Sequence, residues 1–235
     1  VSTILLLKEE IFPSDPYRTL LEQAGHTVTF LPPLYFTYPA RDELQKTLAQ
    51  PETYSGLIVT SPRAVSVFLS HLEAHPHLLN AWKTKPAYVV GMRSAAPLRS
   101  KGFRTYTGKG TAHTLAHTIL QLHQASQKPL LFLAGQLRRE ELPARLRAHG
   151  IPFEERTVYE THIQTDLPRP DPLPDWMVFF SPSGVEAAWR SFGPLPVSIL
   201  AIGPTTARAL YEKGIKPDAI APTPSPEGIL QALRT

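Results

Sequence analysis

Hydroxyl side chains stand where apolar runs give way to helix starts, and their spacing repeats along the chain. Thr60 and Ser61 follow Gly56-Leu-Ile-Val59 and precede Pro62, and Ser94 follows Tyr88-Val-Val-Gly91. Ser181 and Ser183 flank Pro182 after Met177-Val-Phe-Phe180, and Thr205 and Thr206 follow Leu200-Ala-Ile-Gly203-Pro204. Ser at the N-cap with Pro at the first helical position is a strong helix start, because the hydroxyl accepts a first-turn N–H and Pro needs no partner for its nitrogen. Such starts present unpaired N–H groups at the positive end of the helix dipole and seat carboxylates and phosphates. Taken singly, each hydroxyl caps its helix for about 1 kcal/mol. Taken together at strand C-termini, where open α/β sheets bind ligands, they point to one shared anion. Gly184 belongs to the same junctions, and Arg63 and Arg93 place cations within reach of carboxylates there. Gly135 ends the run Leu130–Ala134 and lets a ligand approach the backbone. Tyr159, in Thr157-Val-Tyr-Glu-Thr161, is by residue type alone a packing residue.

The elements that carry these residues occur twice. Gly91 and Gly102 bracket a segment of the same length as that between Gly203 and Gly214, and each reads as a helix stopped by Lys-Gly. Strands follow at Phe103–Thr107 and Asp218–Ala221. Ile4–Leu7, a helix near Tyr17–Gln23 and Val28–Leu31 correspond to Leu130–Ala134, a helix near Glu140–Arg147 and Phe153–Tyr159. The matched order predicts an α/β fold built from an internal duplication whose halves meet near Gln127.

The 235 residues allow one large or two small domains, and 42% hydrophobic residues suffice for packed cores. The 25 prolines are about twice the usual ~5% share and cluster at strand exits and in Pro168-Arg-Pro-Asp-Pro-Leu-Pro174. Cys is absent, which excludes thiolate chemistry and disulfides. No apolar run approaches the ~20 residues of a membrane span, and a cytoplasmic protein with no membrane partner is expected. A net charge of +4 suggests a negatively charged partner. The basic residues are scattered, so a small polyanion is expected and nucleic acid is not. No Gly-x-Gly-x-x-Gly fingerprint is present, and Gly108-Lys-Gly-Thr111 lacks the order of a phosphate loop. His113 and His117 have zinc-ligand spacing without further ligands, and His71, His75 and His77 cluster likewise, so both sets are expected to be exposed and no metal is expected. Glu9-Glu10, Glu140-Glu141 and Glu154-Glu155 are expected on solvated faces.

Thr60-Ser-Pro-Arg-Ala-Val65, Tyr88-Val-Val-Gly91, Val158-Tyr-Glu-Thr161, Phe179-Phe-Ser-Pro-Ser-Gly184 and Ala201-Ile-Gly-Pro-Thr-Thr-Ala207, in this order, resemble the uroporphyrinogen-III synthase family in its eukaryotic form. Asp15-Pro-Tyr17 and Leu142-Pro143 fit as well, so the resemblance covers essentially the whole chain. It implies two α/β domains with parallel sheets, 1–33 with 164–235 and 40–157, joined by a two-stranded β connector at 34–39 and 158–163, with a cleft between them. It implies cyclisation of hydroxymethylbilane, a linear tetrapyrrole with eight carboxylates, with loss of water and inversion of ring D through a spiro intermediate. No cofactor is implied. Tyr159 becomes the expected catalytic residue. Thr60, Ser61, Arg63, Gly91, Arg93, Ser94, Gly135, Ser181, Ser183, Gly184, Gly203, Thr205 and Thr206 become the expected substrate-binding residues. Ser94 stands where relatives can carry Thr. A monomer is expected, with room for a transient contact with the upstream deaminase. The alternative on the same fold is a non-catalytic two-domain binder of a small polyanion.

Overall fold

In each sheet of this computed structural model, apolar residues alternate between two buried faces, which is why the strands read as unbroken hydrophobic runs. The structure describes residues 1–39, 41–108, 111–123 and 128–234. Ala40, Lys109-Gly110 of the phosphate-loop-like stretch and Gln127 at the expected repeat junction lie outside the described residues. The strands are β1 (Thr3–Leu7), β2 (Thr27–Phe30), β3 (Leu34–Thr37), β4 (Gly56–Val59), β5 (Ala87–Val89), β6 (Thr105–Thr107), β7 (Leu130–Gly135), β8 (Phe153–Ile163), β9 (Trp176–Phe179), β10 (Ser198–Ala201) and β11 (Ala219–Ile220). The helices are α1 (Pro16–Gln23), α2 (Arg41–Leu48), α3 (Pro62–Glu73), α4 (Pro76–Lys83), α5 (Met92–Ser100), α6 (Ala112–Leu122), α7 (Glu141–Ala148), α8 (Pro182–Phe192), α9 (Pro204–Glu212) and α10 (Pro226–Ala232).

The chain divides into two compact units, Val1–Tyr35 with His162–Thr235, and Phe36–Thr161. In the first unit the strand order is β11-β10-β9-β1-β2, with every adjacent pair parallel. Leu5, Leu7, Met177 and Phe179 pack on one face with Val185 and Leu210, while Ile4, Leu6 and Val178 pack on the other with Leu21 and Ile229. The second sheet has the order β3-β8-β7-β4-β5-β6, parallel from β8 to β6. Leu57, Val59, Leu131 and Leu133 meet Val65, Phe68 and Leu98 on one face, and Ile58, Leu130 and Phe132 meet Leu115, Ile119 and Leu146 on the other. Each sheet is therefore wound on both sides by helices.

Apart from β3, the two sheets have the same order. β9, β10, β11, β1 and β2 occupy the places of β4, β5, β6, β7 and β8. The registers agree to the residue: Leu57 pairs with Leu131 and Ala87 as Met177 pairs with Leu5 and Ile199. In chain order, each half of the duplication supplies a two-strand and a three-strand piece, and the halves exchange them. The first unit joins β1 and β2 to β9–β11, and the second joins β7 and β8 to β4–β6. β8 runs unbroken through Thr157 and Val158, so no change of element falls at that point.

Candidate active site

The parallel order gathers the ends of β4, β5, β7 and β8 on one edge of the second sheet. At the exit of β4, Ser61 caps α3, its Oγ accepting from the N–H of Ala64 at 3.2 Å, with Pro62 in the first turn. Two strands away Tyr159 sits on β8 opposite Gly135, at a register shift between Ala134 and Gly135. The Gln136 N–H donates to the Tyr159 carbonyl at 3.0 Å and holds this bulge. Gly135 is required there: a Cβ would run into the Tyr159 ring and lie 2.6 Å from its hydroxyl oxygen. The phenol thus lies against Gly135 on β7 and donates to Ser61 Oγ at 3.1 Å. Ser61 Oγ accepts from both Ala64 and Tyr159, which leaves its own proton to be donated elsewhere. The Phe36 ring packs edge-on at 6.0 Å from Tyr159 and fixes its tilt.

Thr60, Ser61, Gly135 and Tyr159 share one cavity of about 630 Å³, a size that takes a drug-sized ligand or a part of a larger one. Val90, Phe132 and Leu142 give it apolar walls, and Thr111, His113, Arg138 and Arg139 give it polar ones. Arg138 is held by Glu155, Nε to Oε1 at 2.5 Å and Nη2 to Oε2 at 2.8 Å, and also pairs with Glu140. These partners keep its guanidinium firmly protonated. Arg139 is exposed.

The remaining expected residues are distributed. Arg63 is half-buried, its guanidinium 3.4 Å over the Phe36 ring and donating to Tyr38 Oη at 3.3 Å. Gly91 precedes α5 with φ +73°, a left-handed conformation that favours glycine. Arg93 is exposed, while Ser94 is buried in the unit's interior. In the first unit, Ser181 caps α8 by accepting the Gly184 N–H at 3.1 Å and lies 2.9 Å from Ser183 Oγ. Gly184 is buried near the Leu7 carbonyl and Pro33. Gly203 precedes α9 in extended backbone, Thr205 is exposed and Thr206 is buried. Ser94 and Thr206 occupy equivalent places and share the same fate.

Sequence reasoning passes over Leu137, Arg138, Arg139, Thr111 and His113 as cavity residues. Arg138-Arg139-Glu140-Glu141 looks self-neutralising, and only the pairing of β7 with β8 brings Glu155 to Arg138 and frees Arg139. The acidic pairs are not simply solvated, because neighbouring helices and loops deliver partners to them. Glu10 pairs with Arg18 at 2.6 Å, and Glu154 accepts from Tyr54 Oη at 2.7 Å. Burial and that bond push the Tyr54 phenol up to about 12. His113, His117 and His77 are exposed, whereas His71 and His75 are half-buried. Among the described residues no group of three or more metal-ligating side chains converges, and no helix is long and apolar enough to cross a membrane.

A family model described as uroporphyrinogen-III synthase HemD matches residues 15–231. The chain is 30% identical over 246 residues to the uroporphyrinogen-III synthase of Schizosaccharomyces pombe, covering 99% of this chain and 96% of that protein. It is 28% identical over 262 residues to that of Saccharomyces cerevisiae, covering 98% and 94%. The solved structure of uroporphyrinogen-III synthetase from Helicobacter pylori has a TM-score of 0.65 at 24% identity, covering 100% of this chain and 99% of that one, and shows the same fold. A mutant uroporphyrinogen III synthase from the extremely thermophilic bacterium Thermus thermophilus gives 0.56 at 18% identity, covering 100% and 98%. With a family model spanning most of its length and a relative at this identity end to end, the chain belongs to the uroporphyrinogen-III synthase family, the cyclising hydro-lyases of porphyrin and haem biosynthesis.

Proposed function

We propose that the cavity around Tyr159 is where the enzyme starts the cyclisation of hydroxymethylbilane to uroporphyrinogen III. The observation that carries this is the Tyr159 hydroxyl, held by Ser61 at 3.1 Å in a cavity at the C-terminal edge of a parallel sheet. On substrate binding the Tyr159 O–H turns from Ser61 Oγ to the hydroxyl of ring A, the Ser61 hydroxyl donates to the phenol oxygen instead, and the phenol proton passes to the ring A hydroxyl as its carbon–oxygen bond breaks. Water departs with the added proton and leaves a cationic azafulvenium beside the Tyr159 phenolate. Ring D attacks through its substituted carbon, and the spiro product fragments and recloses with ring D inverted. The proton lost from the ring returns to the Tyr159 phenolate, so substrate becomes product plus water and the enzyme is restored. In solution the chain closes without inversion, so the enzyme's main contribution is to hold a flexible molecule in the bent pose. Donors aimed at the departing oxygen add to this.

The helix starts at Ser61, Gly91, Ser181 and Gly203 suit the substrate's carboxylates, since backbone N–H groups bind them without burying many lysines. Arg63 and Arg93 are rim cations for the same groups. Family membership favours this over a non-catalytic anion binder. A coupled assay with hydroxymethylbilane, resolving isomers III and I, tests it: isomer III is expected, and isomer I at the uncatalysed rate would refute it. A cytoplasmic monomer that meets the upstream deaminase only transiently completes the proposal. Sedimentation velocity with and without that deaminase is expected to show a monomeric enzyme and no stable complex.

A further inference from the structure

The loop between β7 and α7 holds a large apolar side chain out in solvent while its neighbour is locked in place. Leu137 is 75% exposed and lines the same cavity as Tyr159 and Ser61. Next to it Arg138 is clamped by Glu155 and Glu140, so the loop is fixed by its cation and not by burial of the leucine. Arg139 follows, also lining the cavity and exposed. The loop leaves the sheet between β7 and β4, where the direction of strand addition reverses, and such switch points are where open α/β sheets bind ligands. The equivalent loop of the other unit, between β1 and α1, shares two of these parts, a paired cation and an exposed apolar side chain. Lys8 pairs with buried Asp15, and Phe12 stands 80% exposed. An exposed apolar side chain beside a clamped cation recurs at the two equivalent switch points, which argues against a chance exposed side chain.

We propose that Leu137 is a specificity-determining residue that lies on the face of one pyrrole of the substrate, with Arg139 binding a carboxylate of that same ring. A pyrrole with acetate and propionate arms is a flat apolar body with anionic tips, and Leu137 beside Arg139 matches that pattern. Covering the ring keeps the azafulvene in the cavity until ring D reaches it; a ring released early closes without inversion. The proposal rests on the cavity around Tyr159 being the substrate site.

The test is steady-state kinetics with isomer analysis on the full chain. Burial of one leucine predicts that Leu137→Ala lowers kcat/KM roughly 10- to 100-fold and raises the share of isomer I. Leu137→Met is expected to restore most of both, and the melting temperature is expected to stay at the wild-type value because the side chain is exposed. Arg139→Gln is expected to raise KM and flatten its dependence on ionic strength. Wild-type kcat/KM and isomer ratio in both Leu137→Ala and Leu137→Gln would overturn the proposal. Failure of the unmodified enzyme to make isomer III would instead overturn the function proposed for the cavity.

Discussion

Tyr159 and Gly135 act as one unit, because the ring of one fills the space a side chain on the other would need. Tyr159→Phe removes only the hydroxyl and keeps the ring over Gly135. If that hydroxyl bonds the departing oxygen only in the transition state, kcat falls by ~30- to 1,000-fold while product affinity and melting temperature hold. Single-turnover rates with thermal melts check this, and wild-type turnover would remove the phenol from the chemistry. Gly135→Ala is expected to abolish most activity while the chain stays folded, because the new methyl displaces the phenol from Ser61. Circular dichroism beside the assay separates this from unfolding. The hydroxyls are legible in the sequence because helix starts are written locally, as Ser-Pro or Gly followed two or three residues later by Ser or Thr. The contact between Tyr159 and Gly135 is not, since it depends on how two strands pair and on a bulge that no local pattern announces. Arg63 reads as a rim cation in the sequence, and its stacking on Phe36 is a tertiary fact of the same kind.

Equivalent elements need not have equivalent backbones. Gly91 and Gly203 precede matching helices, yet Gly91 has φ +73° and Gly203 has φ 176°. A Cβ meets nothing within 4 Å at either place, so conformation alone decides the outcome. Gly91→Ala is expected to cost about 1–2 kcal/mol, while Gly203→Ala is expected to leave stability near wild type; chemical denaturation of the two variants compares them. At α1, Asp15 accepts from the Tyr17 and Ile11 N–H groups at 2.9 and 3.0 Å and pairs with Lys8. Burial alone would push its carboxyl up, but Lys8 and those N–H groups reverse this and hold it below its ordinary value of 3.8. A carboxyl depressed in the folded state stabilises it above the unfolded value and loses that stabilisation as pH falls through the folded one. Asp15→Asn is therefore expected to be less stable than wild type near neutral pH, with the gap closing below about pH 4. Melting temperatures taken across that range would expose a constant gap, which would count against the ion pair.

At the scale of the whole molecule, the duplication and the division into units do not coincide. The repeat is visible in the sequence because βα junctions recur with matched spacing. The exchange of pieces between halves is not derivable from it, because β9, the partner of β1, holds the same place in its sheet as β4 of the first half holds in the other. Only the resemblance points to a discontinuous first unit, and the physical reason it is tolerated is that both pairings give the same sheet. That exchange also sets an order of events during synthesis. Phe36–Thr161 is one continuous stretch, whereas Val1–Tyr35 holds two strands, β1 and β2, of a five-stranded sheet whose other three emerge last. The early segment must wait on the ribosome, with one edge of its apolar β1 unpaired, until β9 appears, which exposes it to wrong pairing and to chaperones. Residues 36–161 expressed alone are expected to unfold cooperatively in urea. Residues 1–35 alone are expected to stay unstructured by circular dichroism until 162–235 is added. Independent folding of the short segment would show that its strand needs no late partner.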